Sequence, residues 1–290
     1  MIINKLEATS MNYADLIFVN SKFTETICKE NFKRLQKTNV LYPVPNTNNL
    51  ILPDSDYIPN TSEPDSETII SKIISKFKGS LNAETKSFFL SVNRYERKKD
   101  LELGIRAFHY LLNERLPPRF NKSEVAFIHM GGYDEMNREN VDYFQELYDL
   151  VDKMKLSTNV LLLKSVPQAD KLSLLGSCTA LIYTPKNEHF GITPVEAMYL
   201  YKPVIALNSG GLKETVIHGK VGFLCNLDNK CDVYKSMAQF MERLLEDPKL
   251  VNELGKNAHE HVQNQFSFEN FKKKLTCFVE ETINGEKQSE

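Results

Sequence analysis

The most constraining feature of the sequence is a regular alternation, beginning at Ser87, of short apolar runs with longer amphipathic segments. Residues 101–116, for example, place Leu101, Ile105 and Phe108 on one face of a helix. Strands that alternate with helices pair in parallel, and the helices then cover both faces of the sheet. The sequence therefore predicts an α/β fold with a doubly wound, Rossmann-like parallel sheet, whose strands are SFFLSVN, VAFIHMGG, NVLLLKS, TALIYTP, PVIAL and GKVGFLC.

The sheet-forming segment is predicted to occupy residues 87–265, with three other segments around it. Residues 1–46 show one strand–helix–strand pattern, with the second strand expected in NVLYPVPN. This unit is too small to bury both faces of a parallel pair, so we interpret it as a remnant of a larger N-terminal domain. Residues 47–86 are rich in Pro, Ser, Asn and Asp and are predicted to be a linker with a helical insert. Residues 266–290 are expected to form a C-terminal helix and tail.

Composition narrows the functional class of the protein. The net charge of −2 argues against a nucleic-acid-binding surface. We predict neither a membrane-spanning run nor a signal peptide in this sequence. The five cysteines form no CxxC pair or zinc spacing and are expected to be free thiols in a reducing compartment.

The first loop with unusual chemistry is NRYERKKD, residues 93–100, which follows the first predicted strand of the sheet. Asp100 is expected to cap the helix that follows. Arg94 and Lys99 would stand beside that helix N-terminus, where backbone N–H groups and the helix dipole favour anions. A guanidinium and an ammonium there suit a doubly charged group such as a diphosphate. The alternative is an ordinary solvated loop, since charge clusters are common in loops.

The second loop is NEHFGITPVEAMY, residues 187–199, in which seven residues separate Glu188 from Glu196. Thr193 to Glu196 fit a capping box, with Thr as the N-cap, Pro as the first helical residue and Glu as the third. A capping box accounts for Glu196 but gives Glu188 no role. The segment therefore fits either a helix start or a ligand site.

Small and polar residues between the two glutamates also suit an anionic ligand. Gly191 permits close approach of the backbone, and the amides from Phe190 through Gly191 and Ile192 to Thr193 would face an anion. His189 is either a ligand-facing donor or an ordinary loop histidine, and its surroundings in the sequence do not indicate a metal site.

The third loop is NSGGLKE, in which Gly210 and Gly211 follow a predicted strand. Two glycines allow a tight turn and close backbone approach at the start of a helix. Taken alone, the pair fits an ordinary turn equally well.

Together, these three loops are more specific than any one of them. Their order resembles the nucleotide-sugar-binding domain of retaining GT-B glycosyltransferases over the segment from Ser87 to Gln265. The stretches LSVNRYERKKDL, IYTPKNEHFGITPVEAMY and PVIALNSGGLKETV are most similar to the mannosyltransferases that form α-1,3 and α-1,6 linkages in the dolichol-linked precursor of N-glycans. Residues 14–43 resemble the last strand–helix–strand unit of the N-terminal domain in that family.

The resemblance implies a role for each candidate residue. Arg94 and Lys99 would hold the diphosphate of GDP-mannose, Glu188 would bind mannose hydroxyls and Glu196 would bind the ribose. The remaining donor contacts would come from His189, Phe190, Gly191, Ile192, Thr193, Gly210 and Gly211. The resemblance also implies that the anomeric configuration is retained and that neither a metal nor another cofactor is required.

The resemblance also implies partners and a location. The acceptor would be a dolichol-diphosphate oligosaccharide on the cytosolic face of the endoplasmic reticulum membrane, in company with other glycosyltransferases of the pathway. Contact with the membrane would involve a region outside this sequence, and an incomplete cleft would leave the chain inactive by itself. The alternatives are a non-catalytic donor-binding subunit and a retaining GT-B enzyme with a different nucleotide sugar.

Overall fold

A computed structural model describes residues 2–32, 38–46, 71–72, 75–76, 81–227 and 232–287. The first unit contains α1 (Ile2–Met11), β1 (Ile17–Val19), α2 (Lys22–Asn31) and β2 (Thr38–Val40). The strands of the main domain are β3 (Ser87–Val92), β4 (Val125–Gly131), β5 (Val160–Lys164), β6 (Ala180–Tyr183), β7 (Val204–Leu207) and β8 (Gly222–Cys225). Its helices are α3 (Leu101–Tyr110), α4 (Arg138–Lys153), α5 (Gln168–Ser177), α6 (Ile192–Tyr199), α7 (Leu212–Thr215), α8 (Val233–Glu246), α9 (Pro248–Gln265) and α10 (Phe268–Lys287).

The six main-domain strands form one parallel sheet in the order β5-β4-β3-β6-β7-β8. The chain builds outwards from β3 to β5, then crosses back and continues from β6 to β8. The direction of winding therefore reverses between β3 and β6. Ligands of doubly wound sheets bind at the carboxyl ends of the strands at such a switch point.

Both faces of this sheet are buried, as the continuous apolar runs predict. Neighbouring residues alternate between two apolar layers, so that Phe88 and Leu90 enter one layer while Phe89 enters the other. The same alternation separates Leu181 from Ile182 in the adjacent strand. These two layers hold the strand ends, and hence the loops that follow them, in fixed positions.

The first unit forms a separate two-stranded parallel sheet, β1-β2, flanked by α2. Its second strand is shorter than predicted: it ends at Val40, whereas the prediction extended to Asn46. Pro43 and Pro45 lie in the remainder and lack the N–H groups that a strand donates to its neighbour. The helix α1, which has few periodic apolar residues, was not predicted.

Two further predictions need correction or fall outside the described residues. Asp100 occupies the N-cap position of α3 as predicted, but it adopts a left-handed conformation with φ of 48° and its side chain forms no capping hydrogen bond. The Leu101 amide donates to the Tyr143 hydroxyl. The α-helix ends at Tyr110, and the next residues form a π-helical turn, Leu111–Arg115. The linker predicted at 47–86 lies mostly outside the described residues.

The described cysteines, which are Cys28, Cys178, Cys225 and Cys277, are free thiols as predicted, and Cys231 lies outside the described residues. Within the described parts of the chain, every helix is too short or too polar to cross a lipid bilayer.

Candidate active site

Two of the predicted residues meet at the switch point of the sheet. Lys99 ends the 3₁₀ turn Arg97–Lys99 in the loop after β3, and Glu188 lies in the loop after β6. The Lys99 Nζ atom lies 2.6 Å from Glu188 Oε2. Thr184 helps to fix this geometry, because its hydroxyl donates to the Lys99 carbonyl at 2.7 Å. Residues 89 positions apart in sequence thus form one ion pair between adjacent strand ends.

This ion pair is largely removed from solvent, with side-chain exposures of 15% for Lys99 and 21% for Glu188. The Tyr183 hydroxyl also donates to Glu188 Oε2, at 3.2 Å. Burial by itself would raise the pKa of Glu188, but the hydrogen bonds from Lys99 and Tyr183 and the Lys99 charge outweigh it and lower that pKa. Burial and the neighbouring carboxylate raise the pKa of Tyr183. At neutral pH Glu188 is therefore a carboxylate, and the Tyr183 phenol remains a hydrogen-bond donor.

Arg94, the other predicted cation, is more exposed and has a different partner. Its Nη1 atom lies 3.1 Å from Glu96 Oε1, and 65% of its side chain is exposed. Lys98 pairs with the second oxygen of the same carboxylate at 2.9 Å. The structure therefore places Lys99 with Glu188 and leaves Arg94 at the entrance of the loop, held by Glu96.

The capping-box interpretation of residues 193–196 is wrong. The helix α6 begins at Ile192, so that Thr193 lies inside the first turn and the N-cap residue is Gly191, whose φ is 88°. Only glycine adopts this left-handed conformation without strain, and a Cβ there would also lie 2.8 Å from Leu212 Cδ2. Pro194 falls in the first turn, where its missing N–H needs no acceptor.

Glu196 has a partner that the sequence did not indicate. Its Oε2 atom accepts a hydrogen bond at 2.7 Å from Nζ of Lys171, which lies on α5. The two side chains are 12% and 20% exposed, so the pair is partly buried. Glu196 is thus a carboxylate with a dedicated cation, and one of its oxygens is already used.

The loop that carries Glu188 is joined to the Gly210-Gly211 turn. The Gly211 N–H donates to the Glu188 carbonyl at 2.8 Å, and the Ser209 hydroxyl donates to Asn187 Oδ1 at 2.7 Å. A Cβ at Gly210 would lie 2.5 Å from the Glu188 carbonyl oxygen, and one at Gly211 would lie 2.2 Å from the His189 carbonyl oxygen. The two glycines are therefore needed for contact between two loops of the protein.

Two other predicted residues face the first unit of the chain. Phe190 is buried at 3% exposure and its ring packs on Tyr42 and Phe266. The exposed His189 places Nδ1 at 2.9 Å from the Thr24 hydroxyl oxygen. Phe190 can therefore offer a ligand its backbone, while the His189 ring is fixed through one of its nitrogens.

Sequence reasoning missed Lys171, Tyr183 and Glu96. Each contacts a predicted site residue, yet the spacing to its partner follows no local period that could have indicated the contact. Tyr183 carried the only usable signal, because it stands at the carboxyl end of a predicted strand. Among the described residues, the geometry provides no group of three His, Cys, Asp or Glu side chains that could hold a metal ion.

Comparison with known proteins identifies the family. A family model described as Glycosyl transferases group 1 matches residues 73–261, well over half of the chain. The chain belongs to this family. Its relatives include the alpha-1,3/1,6-mannosyltransferase ALG2 of Dictyostelium discoideum, 39% identical over 280 residues, and that of Homo sapiens, 37% identical over 281 residues. Each alignment covers 96% of this chain, but 63% and 61% of the respective relatives, so the chain spans about three fifths of their length.

Solved structures in the same family of folds agree with the predicted architecture. Sucrose-phosphate synthase from Thermosynechococcus elongatus matches with a TM-score of 0.73 at 21% identity, over 97% of this chain and 62% of that chain. Anabaena HepE in complex with UDP and glucose matches with a TM-score of 0.72 at 22% identity, over 96% of this chain and 66% of that chain. The predicted GT-B-type doubly wound sheet is thereby confirmed.

Proposed function

We propose that the chain binds GDP-mannose at the Lys99–Glu188 site and is the donor-binding part of a mannosyltransferase. Its acceptor would be a dolichol-diphosphate-linked oligosaccharide in the assembly of the N-glycan precursor, with α-1,3 and α-1,6 mannosyl linkages. The observation that carries the proposal is the 2.6 Å ion pair at the switch point of the sheet. The names of the mannosyltransferase relatives support the choice of sugar.

The cations of the site would bind the donor diphosphate. Lys99 is largely removed from solvent and pairs with Glu188, which lies four residues before α6. The α6 amides at Ile192 and Thr193 have no acceptor within the helix and could bind the same anion. Arg94 would leave Glu96 to bind the same group from the exposed side. The leaving phosphate gains negative charge as its bond to the mannose C1 atom breaks, so these positive groups stabilise the transition state more than the ground state.

The two glutamates would bind the two sugars of the donor. Both Lys99 and Tyr183 donate to Glu188 Oε2, so we assign Oε1 to the mannose hydroxyls. Lys171 likewise donates to Glu196 Oε2, and we assign Oε1 of that residue to the ribose. His189, held by Thr24 through Nδ1, would offer Nε2 to the sugar.

Acceptor and location follow from the same proposal. A lipid-linked acceptor would place the protein on the cytosolic face of the endoplasmic reticulum membrane, beside other glycosyltransferases that act on the same lipid. We propose that membrane contact and most of the acceptor site belong to a region outside this chain, corresponding to the part of the relatives that the chain does not span.

Titration calorimetry with GDP and GDP-mannose tests donor binding. We expect Lys99→Ala to weaken GDP binding at least tenfold, since it removes the partly buried cation of the site. Lys98→Ala is the matched control, because this neighbouring lysine is 68% exposed and pairs with Glu96, and it should change affinity less than twofold. Tighter binding of UDP than of GDP would contradict the mannosyl assignment and favour another nucleotide sugar.

Transfer of mannose to a dolichol-linked acceptor tests the reaction itself. We expect transfer when the chain is fused to the N-terminal region of a mannosyltransferase relative, with retention of the anomeric configuration and without added metal. Transfer by the 290-residue chain alone would place the acceptor site within it. Donor binding without transfer in the fusion would favour a non-catalytic donor-binding subunit.

A further inference from the structure

The N-terminus of α2 is capped by a carboxylate from the main domain. The Lys22 N–H donates to Glu214 Oε2 at 2.9 Å, and the Phe23 N–H donates to Glu214 Oε1 at 2.8 Å. These are the first two amides of α2, which have no acceptor within the helix. The hydroxyl oxygen of the local N-cap, Ser21, accepts from the Thr24 amide. A residue 191 positions away from Phe23 therefore completes the helix start, and its charge suits the positive end of the helix dipole.

Glu214 also binds a second part of the first unit. The Tyr42 hydroxyl donates to Glu214 Oε2 at 3.0 Å, and the Tyr42 ring packs on Phe190 and Phe266. Within the described residues, the three side-chain hydrogen bonds of Glu214 all come from residues 22–42. This carboxylate is thus directed entirely at the first unit.

The same first turn of α2 touches the loop that carries Glu188. The Thr24 hydroxyl oxygen lies 2.9 Å from His189 Nδ1, and the Phe23 ring meets the His189 ring edge-on at 5.7 Å between centroids. Glu214 itself lies on α7, three residues after Gly211, whose amide donates to the Glu188 carbonyl. These contacts therefore connect α2 to α7, the segment around α7 to the loop at 187–190, and that loop to α2.

We propose that Glu214 is a positioning residue of the donor site: by holding the first turn of α2, it keeps Thr24 against His189 and restricts the loop that carries Glu188. Glu214 acts through these contacts and is not assigned to the donor itself. The calorimetric test of this role rests on the proposed donor-binding function, whereas the hydrogen-exchange test does not.

Amide hydrogen exchange tests, without a ligand, whether Glu214 restricts both α2 and the loop at 187–190. We expect Glu214→Ala to raise exchange at residues 22–23 at least tenfold and in peptides covering 187–190 at least threefold. Thr24→Val should raise exchange at 187–190 as well, since it removes the contact with His189. If Glu214→Ala exposes 22–23 and leaves 187–190 unchanged, Glu214 is a helix cap and the positioning role is overturned.

Matched controls separate positioning from general loss of stability. Glu242→Ala removes a carboxylate that pairs with Arg115 on another face of the protein. Thr26→Val removes a hydroxyl of α2 that, among the described residues, donates to the Lys22 carbonyl of its own helix. Neither control should change exchange at 187–190. Glu214→Gln, which keeps the volume and one acceptor oxygen, should lie between the wild type and Glu214→Ala.

Calorimetry with GDP supplies the second readout. We expect Glu214→Ala and Thr24→Val to weaken GDP threefold to tenfold, with partial recovery in Glu214→Gln and no change in the two controls. Equal GDP affinity in all variants would overturn the positioning role. Failure of the wild-type chain to bind GDP would instead contradict the proposed function, and the exchange measurements would still decide the role of Glu214.

Discussion

At the scale of single residues, the site consists of carboxylates that each have a cation before any ligand arrives. Glu188 pairs with Lys99, Glu196 pairs with Lys171 and Glu96 pairs with Arg94. At Glu188, the hydrogen bond and the charge of Lys99 outweigh the effect of burial and lower the pKa of the carboxyl group. An arriving diphosphate would compete with Glu188 for Lys99 and with Glu96 for Arg94.

The Lys99–Glu188 pair predicts a pH-dependent contribution to stability. The pKa of Glu188 is lowered below its ordinary value of 4.5, so the pair stabilises the fold above that pH, and the contribution is lost as the pH falls through the lowered value. We expect Lys99→Met to lower the free energy of unfolding by about 1–3 kcal/mol at pH 7. Urea titrations should show this difference shrinking below about pH 4.5, and a difference independent of pH would contradict the assignment.

A double-mutant cycle measures the interaction between Lys171 and Glu196. Lys171→Met leaves a partly buried carboxylate unpaired and should lower stability by roughly 1–3 kcal/mol. Glu196→Gln should change the free energy of unfolding only slightly, because its uncharged amide needs no cation. We expect it to weaken donor binding more than it lowers stability. The double variant should be more stable than the sum of the two single changes predicts, by about 0.5–3 kcal/mol in chemical denaturation. Strict additivity would mean that the two side chains do not interact in solution.

At the scale of elements, a glycine sets where α6 begins and hence where its first amides point. Gly191→Ala would force a side chain into a left-handed conformation and against Leu212, so we expect a loss of about 1–3 kcal/mol in urea unfolding. The matched control is Gly176→Ala on α5, where an added Cβ meets open space among the described residues. The control should stabilise the fold by up to about 1 kcal/mol. Equal effects at both positions would show that the strain at Gly191 is absent.

At the scale of the whole molecule, the two apolar layers of the six-stranded sheet lie almost entirely within residues 81–266. We therefore expect a chain starting at residue 81 to fold with the same sheet, measured by circular dichroism. Loss of Tyr42 would expose Phe190 and Phe266, and this should lower the melting temperature by roughly 5–10 °C. A chain that fails to fold would show that the first unit is an integral part of the core.

The sheet could be predicted from the sequence because its information is local. Each strand is a continuous apolar run and each helix has its own apolar face, so the alternation and the parallel pairing follow from segments a few residues long. The loops with Arg94, Lys99, Glu188 and the Gly210-Gly211 pair could be located for the same reason, since they directly follow predicted strands.

Contacts between distant segments were decided by the tertiary structure alone. The capping box failed because Gly191, held against Leu212, moved the start of α6 ahead of Thr193. The partners of Glu196 and Glu214 lie 25 and 191 positions away, and no repeating period in a sequence encodes such separations. The sequence by itself determined which chemical groups stand at the strand ends, because local patterns specify strands and helices. Only the packing of the sheet decided which of those groups meet, because the order of strands sets which ends are neighbours.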